Sequence, residues 1–135
     1  MDICIDFDGT CVEHQYPFIG GSIGAEPVLK KLVKAGHKLI LFTMRSNGPH
    51  KMPNGEIDRH GLDDAVEWFK KNDIPLYGIQ RNPTQDEWTQ SPKAYGQLYI
   101  DDAALGCPLI YPKGKKSYVD WIKIERMLIE KGIIK

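Results

Sequence analysis

Ile3-Cys4-Ile5-Asp6-Phe7-Asp8-Gly9-Thr10 is the stretch that decides the fold. A short apolar strand runs straight into two carboxylates one residue apart. Like charges this close repel and raise one another's pKa, so the pair implies a bound cation, a proton or a cationic group that holds it together. Chemistry is therefore expected at the carboxyl end of this strand. Gly9 permits the tight backbone turn that brings both side chains to one point.

Outward from that strand, short apolar runs alternate with longer amphipathic ones, the arrangement of βα units around a mostly parallel sheet. Strands are predicted over 2–6, 38–43, 76–79 and 97–101. Lys38-Leu39-Ile40-Leu41-Phe42-Thr43 is apolar on both faces, as a central strand covered by helices on each side should be. Pro27 suits the first turn of a helix that carries Val28, Leu29, Leu32 and Val33 on one face and stops at Gly36. A second helix is predicted from Leu62 to Asn72, with Leu62, Ala65, Val66 and Phe69 at helical spacing. The last helix opens on Ser117-Tyr118-Val119-Asp120, a capping-box pattern, and buries Trp121, Ile122 and Leu128.

The 135 residues, 41% of them hydrophobic, suit one domain over 1–135 with a single core. Eighteen basic and 18 acidic side chains cancel, so no global field draws nucleic acid or anionic lipid. Cys4, Cys11 and Cys107 are odd in number and lack metal-ligand spacing, which reads as reduced thiols in a cytoplasmic protein. No secretory leader is expected, and no run is long enough to span a bilayer. His14, His37, His50 and His60 show no zinc-binding spacing.

Ligands of open α/β sheets collect beyond the carboxyl ends of the strands. In chain order those ends carry Asp6 and Asp8, Thr43, Lys93 just ahead of the fourth strand, and Asp101 and Asp102. The set resembles the haloacid dehalogenase superfamily of aspartate-nucleophile phosphotransferases. Its motifs are DxDGT, a Thr or Ser ending an apolar strand, a Lys, and an acidic pair. The resemblance runs from Ile3 to about Gly106, and Asp6-Phe7-Asp8-Gly9-Thr10 is its specific part.

The resemblance implies a three-layer α/β/α Rossmann-like fold and a magnesium-dependent phosphomonoesterase working through an aspartyl phosphate. Asp6 is then the nucleophile and Asp8 the general acid and base, with a pKa brought nearer neutrality. Magnesium, a hard ion that prefers oxygen, would be held by Asp6, the Asp8 backbone carbonyl and Asp102. Asp101 would orient metal-bound water or Lys93. Thr43 would donate to a phosphoryl oxygen, and Lys93 would offset negative charge. Gly9, Thr10, Arg45 and Ser46 are placed against the substrate, a phosphorylated small molecule or macromolecular end. Arg45 leads this group because its planar fork suits bidentate oxygen recognition, with an ion pair to a neighbouring carboxylate as its other role.

Neither 11–24 nor 80–92 is long enough for a folded cap. The site is thus expected to be open unless a loop or an oligomeric partner covers it. The rim should comprise 11–24, 45–57 and 80–92. Lys113-Gly114-Lys115-Lys116 is the one dense basic stretch. A solvated turn explains it, and if it faced the rim with Arg45, Lys51 and Arg81 it would make a nucleic-acid track, favouring a polynucleotide 3'-phosphatase. A calcium loop starting at Asp6 fails, because Cys11 and Pro17 stand where an EF-hand needs Gly and a carboxylate. A non-catalytic phospho-accepting domain shares the residue types but not their chain order.

Overall fold

The computed structural model describes residues 1–135. The chain runs through β1 (Asp2–Ile5), α1 (Ala25–Lys34), β2 (Lys38–Leu41), an antiparallel pair β3 (His50–Lys51) and β4 (Ile57–Asp58), and α2 (Gly61–Lys71). It continues through β5 (Gly78–Ile79), a 3-10 turn (Gln85–Glu87), β6 (Leu98–Ile100), a second antiparallel pair β7 (Leu109–Ile110) and β8 (Tyr118–Val119), and α3 (Trp121–Glu130). Four strands form a parallel sheet in the order β5-β2-β1-β6. Ile3 sits between Leu39 and Leu98, and Ile5 between Leu41 and Ile100.

Because strand side chains alternate, Ile3, Ile5, Leu39 and Leu41 share one face. They pack with Val28, Leu29 and Leu32 of α1, Ala65 and Phe69 of α2, and Trp121, Ile124 and Leu128 of α3. Handedness explains why. The β1-α1-β2 and β2-α2-β5 connections step outward in the same direction, and right-handed crossovers lay both helices on one side. The β5 to β6 connection steps back across two strands, so the same rule sends it over the opposite face.

That opposite face corrects the expectation of helices on each side. Cys4 and Ile40 are covered there by Ala94, with Phe42, Tyr77 and Tyr99 around them, and the 80–97 segment contains only the 3-10 turn. Pro83 and Pro92 confine any helical ladder to the short stretch between them. Two buried amides stand in place of a longer one. The Gln85 side-chain oxygen accepts from the Asn82 and Tyr95 backbone N–H groups at 2.9 Å each. Asn82 Nδ2 donates to Asp2 at 2.8 Å. The crossover is thereby pinned to the start of β1, with its polar backbone satisfied.

The predicted helices are present, with one shifted start. Asp120, not Ser117, caps α3, its carboxylate accepting from Lys123 N at 3.2 Å, because Tyr118 and Val119 are already paired in the ribbon. The burial expected of Ile122 falls to Ile124 instead. Ile122 is 77% exposed, while Ile124 lies three residues after Trp121 and four before Leu128 on the inner face. No helix is long and apolar enough to cross a membrane.

Candidate active site

The strand order reverses at β1: the chain leaves it towards β2 and β5 and returns on its other flank at β6. A crevice opens at such a point beyond the carboxyl ends. Asp6 follows β1 and Asp101 and Asp102 follow β6, so the topology brings the three together, with carboxylate oxygens within 4.8 Å of one another. A backbone bond from Asp6 N to Ile100 O, 3.1 Å, continues the ladder into the site.

Thr10 sets the relative positions of two of these carboxylates. Its buried hydroxyl donates to Asp6 Oδ2 at 2.7 Å and accepts from Asp102 N at 3.0 Å. Trp121 Nε1 at the start of α3 donates to Thr10 O at 2.7 Å and anchors the loop from below. Thr10 thus positions carboxylates and is buried away from the substrate it was expected to face. Asp101 Oδ1 accepts from Ala103 N at 2.8 Å, capping the turn that follows β6.

Burial above all, then the Asp102 carboxyl, raises the pKa of Asp6 to about 8; the Asp101 charge adds to this and the Thr10 hydroxyl opposes it. Three acidic groups converge where no cationic side chain forms an ion pair with Asp6 or Asp101.

Arg45 is the principal correction. It is 1% exposed, and all five of its N–H groups are engaged inside the protein. Nε and Nη2 each donate to Asp8 at 2.8 Å, Nη2 also to Phe18 O, and Nη1 to Pro17 O and Gly61 O. The rings of Phe7 and Tyr16 lie 5.1 and 5.0 Å from the guanidinium carbon. Its fork holds Asp8, the 11–24 flap and the start of α2 together, leaving no donor for a substrate anion. The ion pair, its other expected role, is the one formed.

β2 closes at Leu41, so Thr43 stands two residues beyond the second strand rather than at its end. Its backbone N–H donates to Gln80 Oε1 at 2.9 Å and its hydroxyl oxygen accepts from Arg45 N at 3.1 Å. Ser46 is exposed, its hydroxyl oxygen accepting from Gly48 N at 3.2 Å. Lys93 is exposed on the crossover with Nζ 5.7 Å from the Tyr99 ring centre, and it makes no ion pair with the acidic cluster.

His14, expected only as part of the flap over 11–24, joins the acidic cluster itself. Its Nε2 lies 2.9 Å from Asp102 Oδ2, so the flap closes directly on the cluster. Gly9 makes this approach possible. At φ 80° it bears no side chain, and a Cβ there would stand 2.0 Å from His14 Nε2 and 2.6 Å from Asp102 Oδ2. Gly9→Ala is therefore expected to lower stability by about 1–3 kcal/mol through the backbone conformation alone, before the displacement of His14 is counted. Thermal denaturation reads this, and an unchanged midpoint would contradict the packing described.

Elsewhere on the rim, Tyr16 meets His50 edge to face at 4.8 Å, joining the flap to the β3-β4 pair. Lys115 bonds Glu13 at 2.9 Å, joining the flap to the basic turn.

Fold and site together define an α/β domain with an acidic cluster at the switch point of a parallel sheet. No family model matches the chain. It is 26% identical over 141 residues to the acetyl-coenzyme A carboxylase carboxyl transferase subunit beta of Liberibacter asiaticus (strain psy62). That match takes in 96% of this chain and 50% of the other protein, so the chain spans about half the length of this curated relative. Among solved structures it is similar to a conserved protein from Bacteroides thetaiotaomicron, with a TM-score of 0.72 and 34% identity over 97% of this chain and 91% of that one. The chain belongs to the family of that conserved Bacteroides protein.

Proposed function

We propose that this chain is a magnesium-dependent phosphomonoesterase of the haloacid dehalogenase type. In this reading its sheet is Rossmann-like, the 80–97 crossover makes the third layer, and no cap domain is present. The observation that carries the reading is the convergence of Asp6, Asp101 and Asp102 at the β1 and β6 ends, with Asp8 two residues beyond Asp6.

The donor set suits a hard divalent cation: it is all oxygen, partly buried, and crowded enough to raise Asp6. Asp6, the Asp8 backbone carbonyl, Asp102 and Asp101 would hold it. When bound, magnesium neutralises phosphoryl oxygens and keeps Asp6 ionised.

A carboxylate oxygen of Asp6 attacks phosphorus and the ester oxygen leaves, forming an aspartyl phosphate. Water then attacks that phosphorus, releasing inorganic phosphate and restoring Asp6. Asp8 supplies a proton to the departing alkoxide and takes one from the attacking water. Its ion pair with Arg45 suits the second, proton-accepting step. Donation in the first step requires the carboxyl to swing off the guanidinium. Thr43 offers its hydroxyl hydrogen to a phosphoryl oxygen, and Lys93 brings a positive charge on the crossover. The three free cysteines fit a reducing, cytoplasmic setting.

The test is phosphate release from p-nitrophenyl phosphate with and without magnesium. Asp8→Asn is expected to slow turnover about 10²–10⁴-fold, the usual worth of a proton-transfer group. Lys93→Ala should also lose activity, and full activity would move the third motif elsewhere. Stoichiometric phosphorylation of Asp6 without turnover would instead favour the phospho-accepting domain. No magnesium-dependent release from this ester or from phosphorylated polynucleotide ends would sink the enzymatic reading.

A further inference from the structure

The basic turn at 113–116 takes no part in the chemistry above, yet it is placed against the site. β8 is tied to the nucleophile loop by a bond from Val119 N to Gly9 O at 2.9 Å, so the loop that joins β7 to β8 has a fixed position beside it. Glu13, His14, Gln15, Gly114, Lys115 and Lys116 line a cleft there of about 220 Å³, without one apolar side chain. His14 is shared by cleft and acidic cluster, since its Nε2 also contacts Asp102.

The charges in this cleft do not balance. Lys115 is matched by Glu13, whereas Lys116 is exposed and has no ion-pair partner. We propose that the cleft receives a second anionic group of the substrate, so that the preferred substrates are phosphomonoesters bearing a further phosphate or carboxylate; this rests on the phosphatase reading. A nucleic-acid track fits less well. Arg45 is buried on Asp8, Arg81 is bonded to Asp86, and Lys115 is held by Glu13. One unmatched cation at the cleft suits one additional anion rather than a strand of phosphates.

The experiment uses alkanediol α,ω-bisphosphates of three to six carbons, each beside its own monophosphate, so that some spacer bridges the two positions. At least one bisphosphate is expected to exceed its monophosphate in kcat/KM by about tenfold or more, through KM, as a charge-assisted contact would give. Lys116→Ala should bring that ratio towards one. Reading the ratio within each protein cancels any general effect of the substitution on folding or turnover. Equal kcat/KM across the whole series, or an advantage that survives in Lys116→Ala, overturns the proposal. So does an oligonucleotide 3'-phosphate that outcompetes every bisphosphate with steep salt dependence. If no ester is hydrolysed, the phosphatase reading fails separately. Calorimetric binding of the same pairs to the native protein and to Lys116→Ala then decides the subsite: a preference for bisphosphates that depends on Lys116 supports it, and its absence overturns it.

Discussion

Asp6→Asn is expected to abolish phosphate release, by about 10⁴-fold or more as for other covalent nucleophiles, while making the metal-free protein more stable at neutral pH. The two effects have one cause. Burial, the Asp102 carboxyl and the Asp101 charge hold the Asp6 pKa at about 8 against its ordinary 3.8. Below about 3.8 folded and unfolded chains are both protonated there, and the group contributes nothing to the pH dependence. Between about 3.8 and about 8 the folded state keeps a proton that the unfolded state releases, so rising pH favours unfolding through this window. An amide carries no proton to lose, and the variant should lack this fall in stability. Denaturant titrations at pH 5 and pH 8 without magnesium read the difference. Adding magnesium should restore native stability at pH 8 and do less at pH 5, where binding must displace the proton. A native protein equally stable at both pH values, or an active Asn variant, would contradict the account.

Arg45→Met should have the largest effect on folding. It leaves Asp8 unpaired beneath the flap and strips the Pro17, Phe18 and Gly61 carbonyls of their donor. Removing one member of a buried ion pair costs about 3–5 kcal/mol. That is a large part of the roughly 5–15 kcal/mol that holds a domain together. Arg45→Lys keeps the charge but not the fork, and provides a second variant if the first fails to fold. The double variant Arg45→Met with Asp8→Asn should lose less than the two single losses added, because neither then strands a buried charge. Urea denaturation of the four proteins measures the coupling, and strictly additive losses would show that the contact carries no energy.

Much of the framework is legible in the chain because it is set by local periodicity. Ile3-Cys4-Ile5 and Leu39-Ile40-Leu41 read as strands, the inner faces of α1 and α2 repeat at helical spacing, and Asp6, Asp101 and Asp102 stand at strand ends that a parallel sheet must align. Features that depend on distant partners are not legible. Nothing near Arg45 in sequence reveals that Asp8, Pro17, Phe18 and Gly61 will occupy all its donors. His14 meets Asp102 only because Gly9 leaves room, and its spacing resembles no ligand motif. The short pairs β3-β4 and β7-β8 carry too few residues for an alternation to register. Tyr118 and Val119 imitate the interior of a capping box while belonging to a ribbon.

The amide-pinned crossover divides the molecule into two kinds of building material. On the helical face each side chain is placed by the pitch of α1, α2 or α3, and an added residue rotates everything after it by about 100°. Over the other face, Asn82 and Gln85 fasten the chain at separate points, and the segments between those fastenings can lengthen, shorten or change composition independently. Trp88 lies on such a segment, whereas Lys93 is itself a fastened point, its carbonyl accepting from Gln85 Nε2 at 3.0 Å. Sequence drift can therefore explore new surfaces on that side one stitch at a time, while the strand ends bearing Asp6 and Asp102 stay in register.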